Sequence, residues 1–202
     1  PWEDPNHKCW ESVPVTKLPL IPQQDQEPKL MSPTIGELRV RSLYGGGWIA
    51  FLLEWDDDTN SIRFRSDKFG DGAAVEFPLQ LDPLPEYKMG GTGKPVQFLF
   101  WKATRQRAFE EKMPFFDENY PNAWTDAYCF DPQIPGYKAG QASETERKKY
   151  VGANAAGNPS RIGVAPPVEE LNAETWINVT IQKSQDGRGR GVWKNGVWRL
   201  VL

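Results

Sequence analysis

One methionine, Met89, lies at the apex of a glycine-rich segment, residues 86–95, directly before an aromatic stretch at 96–101. A thioether is a soft ligand that several haem proteins use as an axial ligand of iron. A core methionine needs no glycine-cushioned loop, whereas a loop methionine that packs on its own strand is the ordinary alternative. The residue types make Met89 a candidate haem ligand and leave a packing role open.

Few other residues could supply redox or acid–base chemistry. The chain contains one histidine, His7, and two cysteines, Cys9 and Cys129. One histidine excludes a conventional Ser-His-Asp relay and a multi-histidine metal site. Two cysteines exclude a four-thiolate cluster, and no C-x-x-C-H sequence is present for covalent haem attachment. The two cysteines either form one disulfide or remain as two thiols, and the sequence leaves both readings open.

Three further motifs have ordinary structural explanations. Residues 56–67 imitate the spacing of a calcium loop through Asp56, Asp58, Asn60 and Asp67, but the sixth position is serine, so an acidic turn is favoured. Asn178-Val-Thr180 matches a glycosylation sequon inside an expected strand. The glycine-rich basic segment 187–191 is best explained as an exposed turn.

The composition argues against several broad classes of protein. The 202 residues include 24 Lys and Arg against 27 Asp and Glu, for a net charge of −3, so general nucleic-acid binding is not expected. The longest apolar run, residues 48–53, is too short to span a membrane. A hydrophobic content of 39% with nine tryptophans indicates a folded domain.

Two regions differ in composition. Residues 1–34 contain seven prolines and predict an extended arm that lies over a partner or over its own domain. Residues 35–202 predict an antiparallel β-sandwich of class all-β, with one or two short helices in long loops. Strands are expected at 37–42, 48–55, 62–65, 73–79, 96–101 and 176–182, followed by a hairpin within 191–202.

Two local predictions are sharper. Asn195-Gly196 suits a two-residue turn, which would place Trp193 opposite Trp198 and Lys194 beside Val197. Residues 104–170 are expected to form a long loop excursion with one short charged helix at 143–149, and this excursion is a candidate docking surface.

The segment M-G-x-x-x-x-P-V at 89–96, followed by a strand ending in Trp101-Lys102-Ala103, resembles a known family. It is similar to the haem-binding subunit of type II dimethylsulfoxide-reductase-family molybdoenzymes. These include ethylbenzene and dimethylsulfide dehydrogenases, selenate and chlorate reductases, and nitrite oxidoreductase. Further stretches agree in order from about residue 36 to the end, at 43–57, 74–78, 157–159 and 191–198.

The resemblance implies one b-type haem, bound without a covalent bond, with methionine and lysine as axial ligands. Met89 matches the methionine. The family's lysine follows the last hairpin, and the sequence ends at Leu202 within that hairpin. The expectation is that a C-terminal piece is missing or that this member ligates differently. Lys102, Lys183 and Lys194 do not stand at the family's position.

A haem with two protein ligands has no open site for substrate, so the resemblance implies an electron-transfer subunit without catalytic residues. The implied partners are an iron–sulfur subunit, a catalytic subunit with a molybdenum cofactor, and a soluble cytochrome c. The implied location is the periplasm or an equivalent lumen. One alternative is a carbohydrate-binding sandwich without haem, whose tryptophans stack on sugars. Another is a scaffold subunit in which Met89 packs internally.

Overall fold

A computed structural model describes residues 2–25, 27–63, 65, 67–85, 87–111, 156–158 and 165–202. The chain divides into one compact unit of residues 1–107 with 166–202 and a second unit of residues 108–165. The first unit holds all nine strands of the described residues: β1 (Thr16–Pro19), β2 (Glu37–Gly45), β3 (Trp48–Asp56), β4 (Gly72–Pro78), β5 (Val96–Lys102), β6 (Val168–Ala173), β7 (Val179–Ile181), β8 (Arg190–Lys194) and β9 (Val197–Val201). A 3-10 turn covers Lys8–Trp10, and helix α1 covers Ala103–Glu111, with its last residues in the second unit.

The strands of the first unit form two antiparallel sheets. The five-stranded sheet has the order β1-β2-β3-β9-β8, and the four-stranded sheet has the order β4-β5-β6-β7. Every pairing is antiparallel. The predicted all-β sandwich is confirmed.

Tryptophans fill the core between the sheets. Trp55 of β3 and Trp198 of β9 stack with ring centroids 6.0 Å apart, and Trp101 of β5 meets Trp198 edge-on at 5.1 Å. Leu53 and Leu200 are buried in the same cluster. Because β3 has neighbours on both edges and buries apolar side chains on both faces, it is the central strand that its continuous apolar run predicts.

The β8–β9 hairpin agrees with its sequence signal. Asn195 and Gly196 have φ values of 52° and 77°, the left-handed conformations that a tight two-residue hairpin turn requires. Trp193 pairs with Trp198, and Lys194 pairs with Val197, as predicted.

The predicted strand at 62–65 is wrong for the residues described. Residues 61–63 lie in a loop, and β3 pairs with β9 rather than with this segment. Asp71 closes the loop, since its Oδ2 accepts from the Ser61 N–H at 2.7 Å and its own N–H donates to the Ser61 carbonyl at 3.0 Å. Both edges of β3 are already paired, with β2 and with β9, so the segment that follows β3 has no edge of that strand to pair with.

The predicted excursion at 104–170 is shorter at both ends. Helix α1 follows β5 directly, and strand β6 occupies Val168–Ala173 between β5 and β7. The predicted helix at 143–149 lies outside the described residues. The strand predicted at 176–182 is shorter in the structure, where β7 covers only Val179–Ile181. Ile177 lies outside the sheet and is 72% exposed.

The proline-rich segment contacts its own sheet. Strand β1 pairs with β2. Trp10 is 1% exposed in a cluster with Leu52 and Val201, on the side of the five-stranded sheet that points away from the core between the sheets. Arg199 fixes the start of the segment, because its Nε and Nη2 donate to the Pro5 carbonyl at 3.0 and 2.7 Å. This part of the chain therefore covers one face of the sandwich.

Candidate functional site

The loop between β4 and β5 holds Met89 in an unusual backbone conformation. Met89 has φ 66° and the following Gly90 has φ 73°. A left-handed conformation costs a residue with a Cβ about 1–2 kcal/mol, so it persists only where the surroundings impose it. Such outliers cluster at ligand sites, and this one identifies Met89 as a residue that the fold holds in place.

Gly90 explains how the loop is held. A Cβ at this position would lie 2.6 Å from the Lys94 carbonyl oxygen and 3.2 Å from the Ala173 carbonyl oxygen. Lys94 also exchanges two backbone hydrogen bonds with Gly91, of 2.8 and 3.1 Å, which close a tight turn. The glycines therefore let the loop pack directly against the end of β6 and carry Met89 with it.

Met89 packs at the edge of an apolar surface on the outer side of the four-stranded sheet. We call this surface the outer face; its members are Met89, Val96, Phe98, Phe100, Leu171 and Ala173. Val96, Phe98 and Phe100 share one side of β5 because alternate side chains of a strand point the same way. Phe98 is 7% exposed. Of the aromatic stretch at 96–101, Phe98 and Phe100 thus lie with Met89, whereas Trp101 points into the core between the sheets.

A carboxylate adjoins the methionine loop. Glu76 of β4 is paired with Phe98, and its carboxylate accepts a hydrogen bond from the Met89 backbone. Burial raises the pKa of Glu76 above its ordinary value, and this hydrogen bond only partly offsets that effect. Sequence reasoning did not find Glu76, because the alternation along β4 places it on the outward side of the strand but does not reveal a contact with the Met89 backbone.

A charged cluster stands at the other end of the outer face. Lys102 Nζ lies 3.1 Å from Glu169 Oε2 and 4.6 Å from the centre of the Phe100 ring. Glu169 Oε1 is 2.9 Å from Nη1 of Arg105, whose Nε donates to the Pro166 carbonyl at 2.7 Å. Burial lowers the pKa of Arg105, and the Glu169 carboxylate opposes that change.

The other lysines considered from the sequence are placed elsewhere. Lys194 is an exposed residue of β8 in the five-stranded sheet, and Lys183 is exposed beyond the end of β7. Among the three, Lys102 is the one in the same strand as the aromatic residues beside Met89.

The acidic stretch at 56–60 is used in local contacts. Asp56 pairs with Arg39 at 2.8 Å, and Asp57 accepts from both the N–H and the hydroxyl of Thr59. Asp67 is 3.0 Å from Arg65. Within the part of the chain that the structure describes, no group of three or more His, Cys, Asp or Glu could hold a metal ion. The acidic-turn interpretation is the one these contacts support.

The remaining candidates are also in structural use. Arg188 of the glycine-rich loop pairs with Glu3 at 2.9 Å and lies 5.4 Å from the Trp48 ring. Cys9 is half-buried, and Cys129 lies outside the described residues. Four of the eight described tryptophans are in the interior, at most 5% exposed, and two are exposed, Trp48 at 46% and Trp176 at 55%. The four interior ones are Trp10, Trp55, Trp101 and Trp198.

The outer face is suited to bind an apolar group through sulphur. It offers one soft thioether in a fixed position, the partly buried side chains of Phe100 and Leu171 beside three buried apolar residues, and a carboxylate and an ammonium at its ends. A haem matches this donor set, because its porphyrin is apolar and its iron accepts a thioether. Among the described residues, no helix is long and apolar enough to cross a bilayer. The fold and the site together define a β-sandwich domain with an apolar surface that carries a methionine.

Comparison with known proteins places this domain in a family. A sequence model of the ethylbenzene dehydrogenase family matches residues 7–202, so the chain belongs to that family. The resemblance predicted from its motifs is confirmed.

One relative is a protein of Haloferax mediterranei named "Putative respiratory nitrate reductase heme subunit ORF7". It is 29% identical over 102 residues, which is 50% of this chain and 37% of the relative. The match therefore spans little more than a third of that protein.

Proposed function

We propose that this chain is a haem-carrying, electron-transfer subunit of a reductase-type complex, and that Met89 is one axial ligand of a single b-type haem. The left-handed Met89 at the edge of the outer face is the observation that carries this proposal. The membership of the ethylbenzene dehydrogenase family and the name of the haloarchaeal relative support it. The haem is held without a covalent bond, since the sequence has no C-x-x-C-H motif.

The residues of the outer face have separable tasks. Met89 donates its thioether, a ligand that raises the reduction potential of haem iron. Phe100 and Leu171, which are only partly buried, would exclude water from the porphyrin, and the buried Val96 and Phe98 would support them; a dry site strengthens electrostatic effects at the iron. A bound haem supplies reversible one-electron transfer, and two protein ligands would leave it no position for substrate. The described residues assign no second ligand.

The proposed partners follow from the family. An iron–sulfur subunit and a molybdenum-containing catalytic subunit would exchange electrons with a soluble cytochrome c through this chain, in the periplasm or an equivalent lumen. The chain itself would carry no catalytic residue. Purification of the complex with all three subunits, with molybdenum and iron–sulfur clusters found only in the partners, is the expected result. Recovery of the chain with neither partner would contradict this part of the proposal.

Absorption spectroscopy of haem-loaded protein tests the ligand. The wild-type protein should show a Soret band with the sharp α and β bands of low-spin haem, and Met89→Ala should lose the low-spin bands. Met31→Ala is the matched control, because Met31 is 65% exposed in the proline-rich segment and should leave the spectrum unchanged. A low-spin spectrum that persists in Met89→Ala would refute the ligand. A colourless wild-type protein that cannot be loaded with haem would refute the function and favour the sugar-binding alternative.

A further inference from the structure

A cavity lies between the two sheets, at the end of the sandwich where β3 and β5 begin and β4 ends. Its volume is about 340 Å³. Both sheets contribute apolar side chains to its lining: Ile49, Phe77, Leu99 and Leu202. Ile49 is 51% exposed, whereas Leu53, on the same side of β3, is 2% exposed. The space between the sheets is therefore filled around Leu53 and open at this end.

The cavity is separate from the outer face that holds Met89. Gln97 and Leu99 line the cavity, and alternate side chains of a strand point the same way. Their neighbours Val96 and Phe98 pack with Met89 on the other side of β5. The four-stranded sheet thus lies between the cavity and the methionine.

One buried carboxylate of the lining has no cation beside it. Glu170 of β6 is 8% exposed, and one of its oxygens accepts a hydrogen bond from the Gly187 N–H. A Cβ on Gly187 would lie 2.7 Å from that oxygen, so the missing side chain lets the backbone reach the carboxylate. Among the described residues, no lysine, arginine or histidine forms an ion pair with Glu170. A buried charge is costly unless a cation accompanies it, so this carboxylate suits a positively charged ligand.

The other charged side chains of the lining do not supply that cation. Arg188 already pairs with Glu3 at 2.9 Å. Asp186 adds a second carboxylate to the lining. The charges around the cavity therefore favour a cation over an anion as its ligand.

We propose that this cavity binds a small organic ammonium ion, a primary amine carried on an apolar body. The ammonium binds the Glu170 carboxylate, and the apolar body lies against Phe77 and Leu99. A concave site of this volume, apolar with a few polar groups, has the character of small-molecule sites in proteins. The inference is independent of the proposed function, since the cavity and the outer face lie on opposite sides of the four-stranded sheet.

Calorimetric titration of the full chain with phenethylamine and with phenethyl alcohol tests the site. The two probes share an aromatic body, and only the amine is charged near neutral pH. We expect wild type to bind the amine roughly tenfold more tightly, because a hydrogen bond between two ionised groups is stronger than one from a neutral hydroxyl. Glu170→Gln should lose that preference, since glutamine keeps an oxygen for the Gly187 N–H but carries no charge. Glu174→Gln, which changes an exposed carboxylate just beyond β6, should keep it.

A measurement on wild type alone locates the ligand. Phenethylamine should shift the NMR signals of the Gln97 side-chain amide and leave those of the exposed Gln24 unchanged. Equal binding of the two probes by wild type, a preference that persists in Glu170→Gln, or a Gln97 signal that does not move would each overturn the inference. The low-spin spectrum expected from Met89 does not depend on any of these results, so the proposed function is tested separately.

Discussion

At the scale of the residue, the backbone of Met89 is as informative as its sulphur. A methionine that only fills space has no reason to adopt φ 66°, because flexible side chains pack well from ordinary conformations. Here the adjoining Gly90 and the hydrogen bond to Glu76 fix the loop, and the loop fixes the thioether. Methionine ligands bind iron without the help of charge, so prior placement of the sulphur is what favours binding.

The left-handed conformation predicts an inversion of a familiar stability order. Glycine is normally less stable than alanine by about 0.5–1 kcal/mol, but alanine at a left-handed position carries a penalty of about 1–2 kcal/mol. We therefore expect Met89→Gly to be about 0.5–1 kcal/mol more stable than Met89→Ala. Urea unfolding of haem-free protein measures this difference without a contribution from ligand binding.

The exposed Met31 provides the comparison for that experiment. Its φ is not in the left-handed region, so Met31→Ala should be at least as stable as Met31→Gly. If alanine is also the more stable replacement at position 89, the loop is not held in the left-handed conformation, and the argument from backbone strain fails.

At the scale of the element, the loop before β5 depends on one glycine more than on its neighbour. A Cβ at Gly90 would meet the Lys94 and Ala173 carbonyl oxygens, whereas a Cβ at Gly91 would meet nothing within 4 Å. We expect Gly90→Ala to cost about 2–5 kcal/mol of unfolding free energy, the sum of left-handed strain and overpacking. Gly91→Ala should be nearly neutral.

The same two variants test whether the packing of the loop against β6 affects haem binding. Because Gly90 seats the loop against β6, Gly90→Ala should also weaken haem binding, measured as a larger dissociation constant in a Soret titration. Gly91→Ala should bind haem as wild type does. Equal behaviour of the two variants would show that contact of the loop with β6 does not position Met89.

Elements with a clear apolar pattern were predictable, and those stabilised by buried polar contacts were not. The central strand at 48–55 follows from its continuous apolar run, and the hairpin at Asn195-Gly196 follows from turn chemistry. Strand β6 contains Glu169 and Glu170, both buried, which gives it the appearance of a polar loop. Its carboxylates are satisfied by residues distant in sequence, such as Arg105 and Gly187, and no local pattern reveals such partners.

In the candidate site, too, some features could be predicted from the sequence and others could not. Met89 and the aromatic stretch at 96–101 were found from residue types. The assignment of Phe98 and Phe100 to the outer face, and of Trp101 to the core, required the register of β5. Glu76 was missed because its contact is with the backbone of Met89, and a backbone contact leaves no signature in the residue types.

At the scale of the whole molecule, one aspartate helps to join the two sheets. Asp71 Oδ2 accepts from Trp198 Nε1 at 3.0 Å and from the Ser61 N–H, so it binds the five-stranded sheet and the loop after β3. Its carbonyl accepts from the Ala103 N–H at 2.8 Å, where β5 passes into α1. A group with these connections should affect the stability of the sandwich as a unit.

The protonation of Asp71 gives that effect a defined pH dependence. Burial raises the pKa of Asp71, and the nearby Asp57 raises it further, against two hydrogen bonds that lower it. The folded chain therefore holds this proton more tightly than the unfolded chain, and the contribution of Asp71 to stability declines as pH rises from its unfolded pKa through its folded pKa. Asp71→Asn keeps an oxygen acceptor for Ser61 and Trp198 but cannot ionise, so the variant should gain stability relative to wild type as pH rises.

Urea unfolding between about pH 3 and pH 7 measures this difference, and Asp56 supplies a control of opposite sign. The hydrogen bond and charge of Arg39 lower the pKa of Asp56, so its contribution is present above its unfolded pKa and lost as pH falls through the folded pKa. Asp56→Asn should therefore lose stability relative to wild type as pH rises toward the unfolded pKa, below the range in which Asp71→Asn gains it. Two variants that change in the same direction would show that the pH dependence reflects net charge rather than the separate environments of these carboxyl groups.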